Sequence, residues 1–309
     1  MIFVYIQNKK FLNKIIDYLE HANILFTTNI NDNYDTILIG EINKKTMKII
    51  KNNYILKKKI VFLSYLEERN IVKHFKYNDK NSIKYRSILY NLLNMCDLII
   101  VSLPYFKKLF NKKMKYNIII IERELEILNL KINSDIYLRY NLNKRKKKIL
   151  YLDSNYDYLS DFFKIVNNNP KIEFIMLGFI PDYYLNKQKK ELLMHIPKNI
   201  KIIRYYDDNI LFELLKIINI FIYIDKNIDL NLIYKTLYLK KNLITYENVI
   251  FTNYLIDNKN IYLFDKNNLE KKTNKLINNE IANLTLAGYD IVKDNKFNNI
   301  VTKIKNISL

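Results

Sequence analysis

The stretch "NMCDLIIVSLPYFKKLF", Asn94–Phe110, changes its period in the middle. Leu98–Val101 are four consecutive aliphatic residues, which suits a strand covered on both faces. Ser102 then stands where a helix N-cap belongs, and Pro104 falls in the first helical turn. Tyr105, Leu109 and Phe110 recur at helical spacing. A buried strand that feeds straight into a helix is half of a βαβ unit, and its carboxyl end is where α/β proteins place their ligands.

The same alternation extends in both directions. Strand patterns occupy Ile2–Ile6, Thr36–Ile39, Ile60–Leu63, Leu98–Val101, Ile118–Ile121, Ile149–Leu152, Glu173–Leu177, Lys201–Arg204, Ile220–Ile224 and Leu243–Tyr246. Helical patterns lie between most of them, including Lys10–His21, Lys44–Lys51, Ile83–Asn94, Tyr158–Asn167, Ile210–Ile217 and Leu230–Leu239. The reading is an α/β chain with parallel sheets. In "NLNKRKKKILYLD" five basic residues, Lys144–Lys148, precede a renewed strand. Such a run reads as an exposed linker between residues 1–142 and 147–290, two Rossmann-like domains facing a cleft, with 291–309 as a C-terminal tail.

Composition bounds the rest. The chain has 309 residues, room for about two domains of ordinary size, and 49% are hydrophobic, which excludes disorder of the whole. The formal charge is +20. A Lys-rich solvated surface, anionic lipid headgroups and nucleic acid would each account for it, but no nucleic-acid-reading motif accompanies it. Cys96 is the one cysteine, so no internal disulfide forms; this suits a reducing compartment and small buried packing. No stretch reaches the ~18–20 apolar residues a spanning helix needs. "MIFVYIQNKKFLNK" lacks a basic segment before its apolar run, so the expectation is a soluble or peripheral protein. His21, His74 and His195 have no ligand spacing, and neither a metal site nor a bound cofactor is expected.

Several segments resemble one family. "CDLIIVSLPYFKKLF", "NPKIEFIMLGFIPDYYL", "IPKNIKIIRYYDDNILFELLKIINIFIYI" and "LYLKKNLITYENVIFTNYLIDNKNIYLF" follow, in order, the pattern of GT-B glycosyltransferases of family four. The match is best with bacterial enzymes that glucosylate diacylglycerol or its monoglucosyl derivative. The resemblance covers most of residues 1–280. It implies a nucleotide sugar as co-substrate, a membrane lipid as acceptor and a tail that is helical in part and packs back.

The chain departs from that family at the donor. Gln7–Asn8–Lys9–Lys10 follow the first strand where the family has a Gly-rich loop. "FLSYLEERNIVKHF" lacks the family's histidine segment, and "YLDSNYDYLSDF" brings Asp153 and Asp157 where an Arg–Lys pair holds the diphosphate. The family's two glutamates, eight positions apart, align with Asn227 and Lys235, with Asp225 and Asp229 as acids nearby. Gly178 keeps the family's glycine at a strand end.

The candidate site residues follow. Glu67 and Glu68 would supply a general base toward an acceptor hydroxyl, or simply occupy an exposed helix start. Gly178, Arg204, Asp225, Asp229, Lys235 and Glu247 are the donor-binding candidates, with Arg204 or Lys235 reaching the phosphates and the acids meeting hydroxyls. Asp225 and Asp229 would otherwise be first-turn or capping residues. Glu122 and Glu124 could touch a polyhydroxy ligand or belong to a surface charge pattern. Lys107, Lys108, Lys112 and Lys113, with Tyr85, Arg86, Tyr105 and Phe106, would face an anionic bilayer at the inner, cytoplasmic surface of a membrane. Two functions stay open: a retaining hexosyltransferase, and a glycosyltransferase-like scaffold or partner subunit without turnover.

Overall fold

The computed structural model describes residues 1–53, 57–102, 104–111, 116–121, 136–154, 157–178, 187–225, 229–248, 251, 255–265, 268–294 and 297–307. The chain forms two compact units, Met1–Glu124 with Asn295–Leu309, and Leu125–Asp294.

In the first unit, β1 (Ile2–Tyr5), α1 (Lys9–His21), β2 (Phe26–Thr27), β3 (Thr36–Ile39), α2 (Lys44–Asn52) and β4 (Lys58–Phe62) follow one another. They continue into α3 (Tyr65–Lys76), α4 (Lys80–Leu93), β5 (Leu98–Val101), α5 (Pro104–Asn111) and β6 (Ile118–Ile120). The strands form one sheet in the order β2-β1-β3-β4-β5-β6, with every pair parallel. Parallel pairing with helical crossovers is what strand-to-helix junctions such as Val101–Pro104 require.

The second unit holds α6 (Ile136–Arg139), β7 (Lys148–Asp153), α7 (Leu159–Asn168), β8 (Glu173–Leu177), α8 (Lys187–Met194), β9 (Ile200–Ile203) and α9 (Asp208–Ile217). It goes on through β10 (Ile220–Ile224), α10 (Leu230–Tyr238), β11 (Asn242–Tyr246), β12 (Tyr262–Phe264), α11 (Leu269–Ile277) and α12 (Thr285–Val292). Its parallel sheet runs β12-β11-β10-β7-β8-β9. Counted within the unit, that is the 3-2-1-4-5-6 order of the doubly wound dinucleotide-binding fold, reversing between β7 and β10.

The final helix, α13 (Phe297–Asn306), belongs to the first unit. Its Ile300 and Ile304 join Ile15 and Leu19 of α1 over Val4, Leu38, Ile60 and Ile100 of the sheet. Burying each such side chain contributes about 1.5–3 kcal/mol. In the second unit, Ile149, Phe174, Ile222 and Ile244 pack against Ile165 and Leu276, and the Tyr151 ring stacks on Phe162 at 3.9 Å.

The basic run 144–148 lies inside the second unit rather than between units. Lys144, Arg145 and Lys146 are exposed, but Lys148 opens β7 and is only 2% exposed. Among the described residues no helix is long and apolar enough to cross a membrane.

Candidate functional site

The carboxyl edge of the second sheet gathers most of the donor-binding candidates. Reading across it, Arg204 follows β9, Gly178 follows β8, Asp153 ends β7, Asp225 follows β10 and Glu247 follows β11. Neighbouring strands lie about 4.8 Å apart, so Arg204 and Glu247 stand roughly 19 Å from each other along the edge. Gly178 has φ 75°, a conformation that side chains resist, and its N–H donates to the Ile203 carbonyl at 3.0 Å. Arg204 and Glu247 are exposed and Asp225 is half-buried. Asp229 caps α10, its Oδ1 accepting from the Asn231 amide at 2.9 Å, as the capping alternative anticipates. Lys235 sits in the last turn of α10, about 9 Å along the axis from Asp229. Its ammonium lies over the Phe212 ring at 5.9 Å. Asn227 falls outside the described residues.

At the reversal between β7 and β10 the local charge is negative. Asp153 is 2% exposed, and its Oδ2 accepts from the Tyr151 hydroxyl at 2.8 Å and the Tyr158 amide at 3.1 Å. Burial first, then Tyr246 and the charges of Asp157, Asp153 and Asp161, push the Tyr158 hydroxyl up to about 12. Tyr158 therefore stays a neutral donor at physiological pH. The burial of Asp153 has no signal in the sequence, although its replacement of a basic pair does.

In the first unit, Glu67 and Glu68 occupy the opening turn of α3, which Ser64 caps by accepting from the Glu67 amide at 3.3 Å. The exposed-helix-start alternative is corrected: Glu67 is 9% and Glu68 2% exposed. Glu68 accepts the Ser102 amide at 2.5 Å on one oxygen and the Ser102 hydroxyl on the other. Glu67 accepts the Tyr85 hydroxyl at 2.9 Å. Burial, opposed by the bonds from Tyr85 and the Ile42 amide and reinforced by Glu41, holds the Glu67 carboxyl above its usual range. The native chain thus keeps a proton that the unfolded chain releases, and stability falls as pH rises from the ordinary glutamate range through the raised value. Glu67→Gln is expected to raise Tm relative to the wild type more at pH 8 than at pH 4, which paired thermal melts would read.

The membrane-facing candidates divide. Lys107 and Lys108 are exposed on α5, whereas Phe106 and Phe110 are buried in the core. The Arg86 guanidinium donates to the His74 and Tyr77 carbonyls at 3.1 and 3.0 Å. The rings assigned to headgroups are therefore corrected for Phe106, which packs inward because it shares the apolar face of α5. Lys112, Lys113, Glu122 and Glu124 lie outside the described residues. Among the described residues no group of three His, Cys, Asp or Glu is arranged to hold a metal ion.

No protein-family model and no curated protein matches the chain. Solved structures do. A glycosyltransferase from Rickettsia africae is similar at TM-score 0.61 and 15% identity, over 99% of this chain and 96% of that one. Anabaena HepE in complex with UDP-glucose aligns at TM-score 0.61 and 12% identity, over 98% and 97%. The UDP-GlcNAc 2-epimerase of Neisseria meningitidis bound to UDP-GlcNAc aligns at TM-score 0.56 and 10% identity, over 98% and 89%. At these identities the likeness establishes the fold: two Rossmann-like units of the GT-B type.

Proposed function

We propose that the chain, built on the GT-B fold, binds a nucleotide sugar at the carboxyl edge of its second unit and transfers the hexosyl group with retention to a diacylglycerol-type membrane lipid. The observation that carries this reading is the row Arg204, Gly178, Asp225 and Glu247 on four strands of one edge, in a sheet of dinucleotide-binding strand order. HepE and the epimerase are different proteins of this fold, yet each is described with a UDP-sugar bound. The nucleotide sugar is thus the shared element, and the reaction is where such proteins diverge.

In the proposed reaction the bond from the sugar C1 to the diphosphate oxygen breaks and a bond to the acceptor oxygen forms on the same face. The acceptor proton leaves with the diphosphate. Arg204 offers a fork of N–H donors to the departing charge, and the positive φ of Gly178 lets backbone approach it. Asp225, Asp229 and Glu247 accept from sugar or ribose hydroxyls. Asp229→Asn and Glu247→Gln should each lower kcat/KM about tenfold or more, since a lost charge-assisted hydrogen bond is worth about 1.5–3 kcal/mol. Unchanged kcat/KM in both variants would remove these two acids from the site.

Support for an acceptor on an anionic surface comes from Lys107 and Lys108, exposed together on α5, and from the charge of +20. Each cation near such a surface contributes about 1 kcal/mol, screened by salt. Co-sedimentation with anionic vesicles should fall in Lys107→Glu/Lys108→Glu, and equal pelleting with neutral vesicles would count against the surface. A second reading, a scaffold without turnover, is favoured by the acidic surroundings of Tyr158, because acid beside a diphosphate opposes its binding.

A further inference from the structure

The first unit has its own reversal point, between β1 and β3, where α1 begins. A helix start beside a parallel strand end is where ligand phosphates bind, because free amide N–H groups and the helix dipole converge there. Here that place is already taken by a group of the chain itself. Glu41, two residues beyond β3, accepts from the Gln7 amide at 2.8 Å and the Asn8 amide at 2.9 Å through a single oxygen, Oε1. The Asn8 side chain accepts the next donor, the Phe11 amide, at 3.0 Å.

Gly40 makes the approach possible. A Cβ at that position would lie 2.9 Å from Ile6 Cγ1 and 3.1 Å from a Phe11 ring carbon, so a larger residue would push the end of β3 away from α1. The second carboxylate oxygen, Oε2, is buried and has no hydrogen-bond partner among the described residues, in a residue only 9% exposed. The Glu67 carboxyl, itself buried, lies close enough to feel the Glu41 charge. A buried carboxylate with one orphan oxygen is costly. The amide pair at the helix start is what the described structure offers in return.

We infer that Glu41 is a built-in anion: it fills the position on the Gln7 and Asn8 amides that a ligand phosphate would take. The Gln7 and Asn8 amides are therefore closed to a ligand phosphate, whatever the surrounding lysines attract. With Glu41 truncated, the same two amides become a latent phosphate site. The inference concerns the first unit alone and holds whether or not the chain transfers sugars.

The test is residue-resolved, because exposed Lys9, Lys10, Lys44 and Lys45 at the starts of α1 and α2 will attract any polyanion. Inorganic pyrophosphate is titrated into the full-length, deuterated, 15N-labelled protein. The Gln7 and Asn8 amides should stay unmoved in the wild type and in Glu41→Gln, which keeps an acceptor in place. In Glu41→Ala both should shift saturably, as expected for regained charge-assisted bonds. Saturable movement of these amides in the wild type overturns the inference, as does a folded Glu41→Ala in which they do not move. Should Glu41→Ala fail to fold, the wild type and Glu41→Gln decide, since movement in either contradicts the inference. The Gly178 amide reports the second unit in the same spectra, which keeps this outcome separate from donor binding.

Discussion

Lys148→Met is expected to destabilise the second unit by about 3–5 kcal/mol, the usual cost of stripping a buried charge of its partner. Lys148 opens β7 directly opposite Glu173 on β8, and the two are 2% and 8% exposed with nitrogen and oxygen 3.9 Å apart. The ammonium also donates to the Lys146 carbonyl at 2.7 Å and to the Asn143 carbonyl, tying the preceding turn to the strand. Burial lowers the Lys148 pKa, and Glu173 opposes that shift without cancelling it. In the variant, Glu173 keeps only the Asn143 amide, at 3.0 Å, as its described polar partner. Replacing both residues, as Lys148→Met/Glu173→Leu, should recover much of the loss, because a buried pair exchanged for apolar side chains is often neutral. Urea denaturation of the single and double variants reads both values. A single variant within 1 kcal/mol of wild type would mean that the pair is hydrated in solution.

Glu68→Ala should cost the first unit about 2–4 kcal/mol. It removes a carboxylate from two donors at once and leaves the Ser102 amide, in a residue 7% exposed, without its described acceptor. Glu68→Gln can still accept one of the two bonds and should cost about half as much. Because both oxygens of Glu68 are engaged by Ser102, we propose a positioning role for this residue and leave Glu67 as the carboxylate with altered proton affinity. If Glu68→Gln, folded and stable, abolished transfer, the positioning role would be wrong.

These two residues also show where the sequence was legible. All ten strand patterns read from it are strands, because runs such as Leu98–Val101 and Ile220–Ile224 are aliphatic and bounded by helical periods. Phe26–Thr27 and Tyr262–Phe264 were not readable, since two or three residues carry no period. The run Lys144–Lys148 has the composition of a solvated linker, and its last member is buried where Glu173 faces it from another strand. Periodicity cannot announce such a pairing. The same holds at the candidate sites: Asp225 and Glu247 are legible from the strand ends they follow, whereas nothing in the local sequence marks Glu41. Its role depends on Gly40 and on two amides more than thirty residues away.

The central claim, a nucleotide-sugar site on the second unit, is tested most directly by calorimetric titration of the purified chain with uridine, guanosine and adenosine diphosphates and the matching nucleotide glucoses. The account predicts saturable binding of one nucleotide series. That binding should weaken in Arg204→Ala, by about tenfold for a lost charge-assisted contact. Absence of saturable heat with every nucleotide, together with no release of sugar from any of the nucleotide glucoses, would contradict it and leave the scaffold reading in its place.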